Sequence, residues 1–162
     1  MKNILIVILL CLFVCTPSMA GDLKKLSLDD LATLGLKIEN DASVKVQGKG
    51  SIKISTLWPT TVCLGEVTEL DIENARLIYK ADVKSQLNGS ALLEMWVHVG
   101  GGQYFSRGLN STVIGNSDWK SIQTPFMLQK GQKPDRVTLN LIINGKGTVW
   151  IDNIVLSKEP LN

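Results

Sequence analysis

One segment of the chain combines an aromatic ring with polar side chains at the spacing of a β-strand face. In residues 91–99, Glu94, Trp96 and His98 alternate with apolar residues. Successive side chains of a strand point to opposite faces of the sheet, so these three share one face. A flat aromatic ring can stack on the C–H surface of a sugar while polar neighbours bond its hydroxyl groups. The segment therefore predicts a ligand-binding face centred on Trp96.

Three further residues are candidates for the same face. The next strand along the chain supplies Tyr104 or Arg107 if it lies alongside residues 91–99. The alternating segment 137–143 supplies Asn140 from its outer face. The alternative for Trp96 is a structural role, in which it packs under a loop or covers the outside of the sheet.

Catalytic constellations are poorly represented in this chain. Its single histidine, His98, rules out a cluster of histidine metal ligands, and no other residue is a ready base for a serine or cysteine nucleophile. Glu94 and Asp82 are expected on neighbouring outer strand faces, and a pair of carboxylates can cleave a glycosidic bond. This indication is weak, because any two acidic residues on adjacent strands give the same pattern. We therefore expect a protein that is not an enzyme.

The first twenty residues have the features of a secretory signal peptide. Lys2 is followed by an apolar stretch over residues 4–14 and by the small-x-small sequence Ser18-Met19-Ala20. This pattern predicts cleavage after Ala20 and a secreted or periplasmic protein, with an uncleaved anchor as the alternative. No later segment is apolar for long enough to span a membrane.

Charge and cysteine content limit the remaining possibilities. Loss of Lys2 with the signal peptide lowers the formal net charge from +2 to +1, which does not suggest binding to nucleic acid. Cys11 and Cys15 leave with the same peptide, so Cys63 cannot form an internal disulfide. We expect Cys63 to be a buried thiol in a strand, and a reactive or intermolecular thiol is the alternative.

The rest of the chain reads as short strands. The pattern of residues 22–35 predicts a short helix or turn. After residue 35, apolar and polar residues alternate with a period of two, which indicates β-strands. Asn88-Gly89 is a hairpin signal, and Gly145-Lys146-Gly147 reads as another turn. The principal predicted strands are residues 44–46, 51–55, 60–67, 74–85, 91–99, 103–109, 119–128, 137–143 and 148–156. We expect a signal peptide (1–20), an N-terminal segment (21–37), one all-β domain (38–157) and a frayed tail (158–162).

Several of these segments resemble a known family. Residues 50–54, 75–84, 119–126 and above all 147–154, with Trp150 and Asp152 in the closing strand, are similar to carbohydrate-binding-module-like, galactose-binding-domain-like domains. The resemblance implies an antiparallel jelly-roll β-sandwich over residues 39–156. It also implies carbohydrate or a glycan surface as the partner, and a structural calcium ion.

The resemblance suggests where that calcium ion would bind. Asp152 matches the family's aspartate in the closing strand, and Glu39 and Asp41 are the acidic residues near the start of the domain. Calcium takes six to eight oxygen ligands, and Asn153 stands where family members often have a second aspartate. The alternatives are that Asp152 is a hydrogen-bonded residue at a strand end, and that Glu39 and Asp41 lie in a solvated loop.

Three functions are therefore open. The first is a secreted or periplasmic non-catalytic module that binds carbohydrate and carries structural calcium. The second is a structural or protein-interaction domain of the cell envelope built on the same sandwich. The third, which the scarcity of histidine and tyrosine disfavours, is a small polysaccharide lyase or hydrolase.

Overall fold

The computed structural model describes residues 35–161 as a single network of seven antiparallel β-strands. Among these residues there is no helix, and so none with the length and hydropathy of a transmembrane span. The strands are β1 (Leu36–Asp41), β2 (Ser51–Thr56), β3 (Thr60–Thr68), β4 (Ala75–Val99), β5 (Gly102–Arg107), β6 (Val113–Leu128) and β7 (Pro134–Pro160). The predicted signal peptide and, apart from Gly35, the predicted helix of residues 22–35 lie outside the described residues.

Two long strands form the centre of the network. β4 and β7 pair along their whole length, from Ala75 opposite Pro160 to Val99 opposite Pro134. The free edge of β4 pairs with β6 and then with β5. The free edge of β7 pairs with β3 and then with β2, which in turn pairs with β1. Each half of the β4–β7 ribbon thus carries its own set of flanking strands.

The two halves of the ribbon share one hydrophobic core. Leu77 and Tyr79 from the first half of β4, and Leu93 and Met95 from its second half, are all completely buried in a single cluster. Because alternate residues of a strand point to one face, a flat sheet would leave this apolar face in water. The sheet therefore folds over on itself into a β-sandwich. The first half of β4 lies in the layer that contains β1, β2 and β6, which we call the first layer. The second half of β4 lies in the layer that contains β3 and β5, which we call the second layer.

The predicted hairpin at Asn88-Gly89 is wrong, because β4 runs straight through these residues. Gly89 lies opposite Gly145 of β7, and their φ angles are 144° and 142°. A Cβ atom on Gly89 would lie 2.0 Å from the carbonyl oxygen of Asn144. The two glycines therefore let two backbones approach closely where the ribbon passes between layers, and the predicted turn at residues 145–147 is likewise part of β7.

Three further expectations differ from the structure. Residues 44–46 lie in a loop, and the strand that precedes β2 is β1. β7 continues to Pro160, where we expected a tail, because its last residues pair with the start of β4. Cys63 is exposed, since β3 is an edge strand and this side chain points away from the core.

Candidate functional site

The outer face of the second layer carries an aromatic pair. Trp96 of β4 lies between Phe105 of β5 and Thr138 of β7 in the strand register. The ring centroids of Trp96 and Phe105 are 5.2 Å apart, with an angle of 40° between the ring planes. Phe105 is 53% exposed, whereas Trp96 is partly buried. The two rings form a tilted apolar surface that is open to solvent, and we call this pair the aromatic platform.

A buried carboxylate supports the platform. Glu94 lies between Arg107 and Asn140 in the register and is only 3% exposed. Its Oε1 accepts hydrogen bonds from Nε1 of Trp96 at 2.7 Å and from Nδ2 of Asn140 at 3.2 Å. Its Oε2 accepts a bond from Nε of Arg107 at 2.6 Å. Three side chains from three strands are thus held by one anion.

These bonds also keep Glu94 charged. Burial raises the pKa of the Glu94 carboxyl, because a charge is costly where water is excluded. The hydrogen bonds from Arg107, Trp96 and Asn140 act in the opposite direction and are stronger together, so the pKa lies below its ordinary value. Glu94 is therefore an anion at neutral pH although it faces almost no solvent.

The burial of Glu94 divides the polar residues into two groups. Glu94 and Asn140 lie beneath the surface and bond each other, so they orient neighbours rather than meet a ligand. The Arg107 side chain is 46% exposed, and its guanidinium carbon lies 5.0 Å from the centre of the Phe105 ring. This cation–π contact holds the half-exposed guanidinium group of Arg107 against the aromatic platform.

A polar hollow continues the face beyond Trp96. His98 lies between Gln103 and Arg136 in the register, and these residues and Asp135 line a hollow of about 330 Å³. Nη2 of Arg136 is 3.3 Å from Nε2 of His98. The hollow therefore offers hydrogen-bond donors and acceptors next to an apolar surface, which is a common composition for a small-molecule site.

The structure brings most of the predicted binding residues together. Trp96, Glu94, His98, Arg107 and Asn140 all belong to this face. Tyr104 does not, because it lies opposite Val97, whose side chain points into the core, and so occupies the other face of β5.

Phe105 was missed by sequence reasoning, although a usable signal was present. Phe105 is adjacent to Tyr104 in the strand, so the two side chains point to opposite faces of the sheet. Phe105 and Arg107 are two residues apart, so strand parity alone puts them on one face.

The carboxylates considered for catalysis do not meet. Asp82 lies in the part of β4 that belongs to the first layer, where its Oδ2 accepts a bond from Nδ2 of Asn153 at 2.7 Å. Glu94 lies on the outside of the second layer, so the core of the sandwich separates the two acids. They cannot act on one glycosidic bond.

The three predicted calcium ligands already have other partners. Glu39 forms salt bridges with Lys37 at 2.5 Å and with Lys53 at 3.1 Å, and these lysines lower its pKa. Asp41 and Asp152 accept hydrogen bonds from the loop that follows β1 and from neighbouring groups. Within residues 35–161 no group of three or more His, Cys, Asp or Glu side chains is close enough together to hold a metal ion.

Comparison with known proteins identifies the fold of this chain by structure but finds no family by sequence. Neither a protein-family model nor a curated protein matches the sequence. Among solved structures, a family 16 carbohydrate-binding module matches with a TM-score of 0.55 at 14% identity, covering 76% of this chain and 86% of that one. The chain has the β-sandwich fold of carbohydrate-binding modules.

Two other solved structures extend this result. The CBM22-1 xylan-binding domain of Paenibacillus barcinonensis Xyn10C matches with a TM-score of 0.53 at 17% identity, over 78% of this chain and 83% of that one. A putative sugar binding protein from Bacteroides thetaiotaomicron VPI-5482 matches with a TM-score of 0.52 at 10% identity, over 79% and 84%. The carbohydrate-binding-module fold expected from the closing strand is thereby confirmed, and at these identities the likeness is one of fold.

Proposed function

We propose that this protein is a non-catalytic carbohydrate-binding module of the cell exterior or periplasm, and that its ligand stacks on the aromatic platform of Trp96 and Phe105. The observation that carries the proposal is this solvent-facing ring pair, 5.2 Å between centroids, on the outer face of the second layer. A sheet face exposed to water normally carries polar side chains, so paired large aromatic rings on it suggest a binding role. The signal-like residues 1–20 support export.

The surroundings of the platform suit a hydroxylated ring. In this proposal the apolar C–H groups of a sugar pack on the aromatic platform, while Arg107, which lies over the Phe105 ring, and His98 supply hydrogen-bonding groups for its hydroxyl oxygens. Glu94 and Asn140 act as positioning residues, since their polar atoms are engaged beneath the surface.

A matched pair of tryptophan variants tests the proposal. The exported protein is screened on a glycan array together with Trp96→Ala and Trp58→Ala. Trp58 is 45% exposed and lies between β2 and β3, so it controls for the general loss of an exposed aromatic ring. We expect selective binding by the wild type and by Trp58→Ala, and a loss of about five- to 150-fold in affinity for Trp96→Ala, since stacking of one ring on an aromatic side chain is worth roughly 1–3 kcal/mol. Binding that survives Trp96→Ala would place the ligand elsewhere.

A protein of the cell envelope is the second candidate partner. Tryptophan and arginine beside one another are typical of the centres of protein interfaces, and Trp96 and Arg107 share this face. A blank array with well-folded protein, together with capture of one envelope protein that depends on Trp96, would favour this function over glycan binding.

A further inference from the structure

The loop between β1 and β2, residues 42–50, is fastened to the sandwich by two aspartates. We propose that the side chains of Asp41 and Asp152, which we call the aspartate anchor, do the work that the resemblance assigns to a structural calcium ion. The fold then keeps this loop in place without any metal. The proposal is independent of glycan binding, because the anchor lies in the first layer and the aromatic platform in the second.

Asp41 folds the start of the loop back on the end of β1. Its Oδ1 accepts bonds from the backbone nitrogen of Ser43 at 2.9 Å, from Oγ of Ser43 at 2.6 Å and from the backbone nitrogen of Val44 at 3.1 Å. Its Oδ2 accepts a bond from Nε1 of Trp150 at 3.0 Å. One carboxylate thus orders the turn and connects it to β7.

Asp152 holds the middle of the same loop from the opposite side. Its Oδ2 accepts bonds from the backbone nitrogens of Val46 at 2.8 Å and Gln47 at 3.1 Å. Its Oδ1 accepts a bond from the backbone nitrogen of Asn153 at 2.8 Å. These bonds join β7 to residues about a hundred positions earlier in the chain, which is the kind of long-range connection a bound ion would otherwise provide.

The chemistry of this arrangement does not fit a calcium ion. Calcium needs oxygen lone pairs directed at one point, but all four carboxylate oxygens of the anchor already accept bonds from N–H or O–H groups. Donor hydrogens directed at a carboxylate repel a cation in the same place. Glu39 is neutralised by Lys37 and Lys53, which adds positive charge near β1 instead of a free ligand.

The amide groups of the loop are an adequate substitute for a metal. Hydrogen bonds to an ionised acceptor are shorter and about twice as strong as neutral ones, and the anchor has several of them. Ser51 adds a bond from its Oγ to the backbone oxygen of Val44 at 2.5 Å, which closes the loop at its far end. The loop is therefore tied down at its start, middle and end by groups of this chain.

The rate of trypsin cleavage measures how firmly the loop is held, because Lys45 and Lys49 lie within the loop and are exposed. The exported wild-type protein is digested in EDTA and in calcium, and thermal unfolding is measured in the same two solutions. We expect the same cleavage rate at both lysines and the same Tm, together with no calcium retained in equilibrium dialysis. Protection of the loop by calcium, a Tm raised by several degrees, or one bound calcium per chain would overturn the proposal.

Variants test the aspartates themselves. Asp152→Asn and Asp41→Asn each replace one accepting oxygen by an amide that donates, so we expect cleavage at Lys45 and Lys49 to rise severalfold, with or without calcium. Asp118→Asn is the control, since its side chain is 85% exposed and bonds Lys84 away from the loop. If both anchor variants were cleaved at the wild-type rate, that result would also contradict the proposal. The wild-type comparison in EDTA and calcium decides the matter even if a variant fails to fold.

Discussion

Replacement of Glu94 tests how the aromatic platform is built. If the buried carboxylate holds Trp96, Arg107 and Asn140 together, its removal must cost stability and must also disturb a surface that it does not itself reach. Glu94→Ala removes every acceptor. Glu94→Gln keeps one oxygen for Trp96 and Asn140 but loses the charge that faces Arg107.

The magnitude follows from the exposure of each donor. Asn140 is 8% exposed, so its amide would be left without a partner, at about 1–3 kcal/mol. The half-exposed Arg107 side chain can rehydrate, so its ion pair contributes about 1 kcal/mol or less. Glu94→Ala should therefore destabilise the fold by about 1–4 kcal/mol, which lowers Tm by about 4–15 °C. Glu94→Gln should cost about half as much, because part of the hydrogen bonding survives.

Urea unfolding monitored by tryptophan fluorescence provides the assay, with Glu66→Ala as the control. Glu66 is also on this face, but its side chain is 46% exposed, so its removal should change the free energy of unfolding by less than about 1 kcal/mol. Glycan affinity measured on the same proteins should fall in the order wild type, Glu94→Gln, Glu94→Ala. If Glu94→Ala were as stable as Glu66→Ala, the carboxylate would not be holding the platform and the reasoning would be refuted.

Four other outcomes are expected. The lowered pKa of Glu94 means that its stabilisation is present above the unfolded-state pKa, about 4.3, and is lost as the pH falls through the lower folded-state value. Stability curves of wild type and Glu94→Gln should therefore converge only in acid. Gly89→Ala should cost at least about 2 kcal/mol in chemical denaturation, whereas Gly65→Ala, with open space around its Cβ position, should be nearly neutral. Tyr79→Phe removes a buried hydroxyl that has no hydrogen-bond partner, so calorimetry should find an unchanged or slightly higher Tm. The Cys63 thiol should react with a thiol reagent in the native protein at a rate close to that in denaturant, and protection would show that it is covered.

The parts of the fold that strand parity controls could be predicted from the sequence. Alternation in β4 correctly put Glu94, Trp96 and His98 on one face, because a two-residue period needs no knowledge of the rest of the molecule. The sandwich itself followed from many such segments with turn residues between them. The closing strand with Trp150 and Asp152 pointed to the same fold.

The parts that depend on distant partners could not be predicted. Asn88-Gly89 has the composition of a hairpin turn, and only Gly145 on the partner strand explains why the backbone continues. From its place in the sequence, Glu94 is expected to be a solvent-facing acid. Its burial depends on hydrogen-bond donors from β5 and β7, and the register of those strands against β4 cannot be deduced from the residues around Glu94. The same applies to Asp152, whose hydrogen-bond donors lie in a loop near the start of the domain.

The most direct test of the account follows the indole groups during ligand binding. The chain has four tryptophans, and each gives one indole N–H resonance in a nitrogen–proton correlation spectrum, assigned by single Trp→Phe variants. The protein is titrated with the glycan that binds most strongly on the array. Stacking on the aromatic platform predicts a saturable shift of the Trp96 resonance, with those of Trp58, Trp119 and Trp150 unchanged. A shift confined to Trp58, or the absence of any glycan that moves Trp96, would contradict the account.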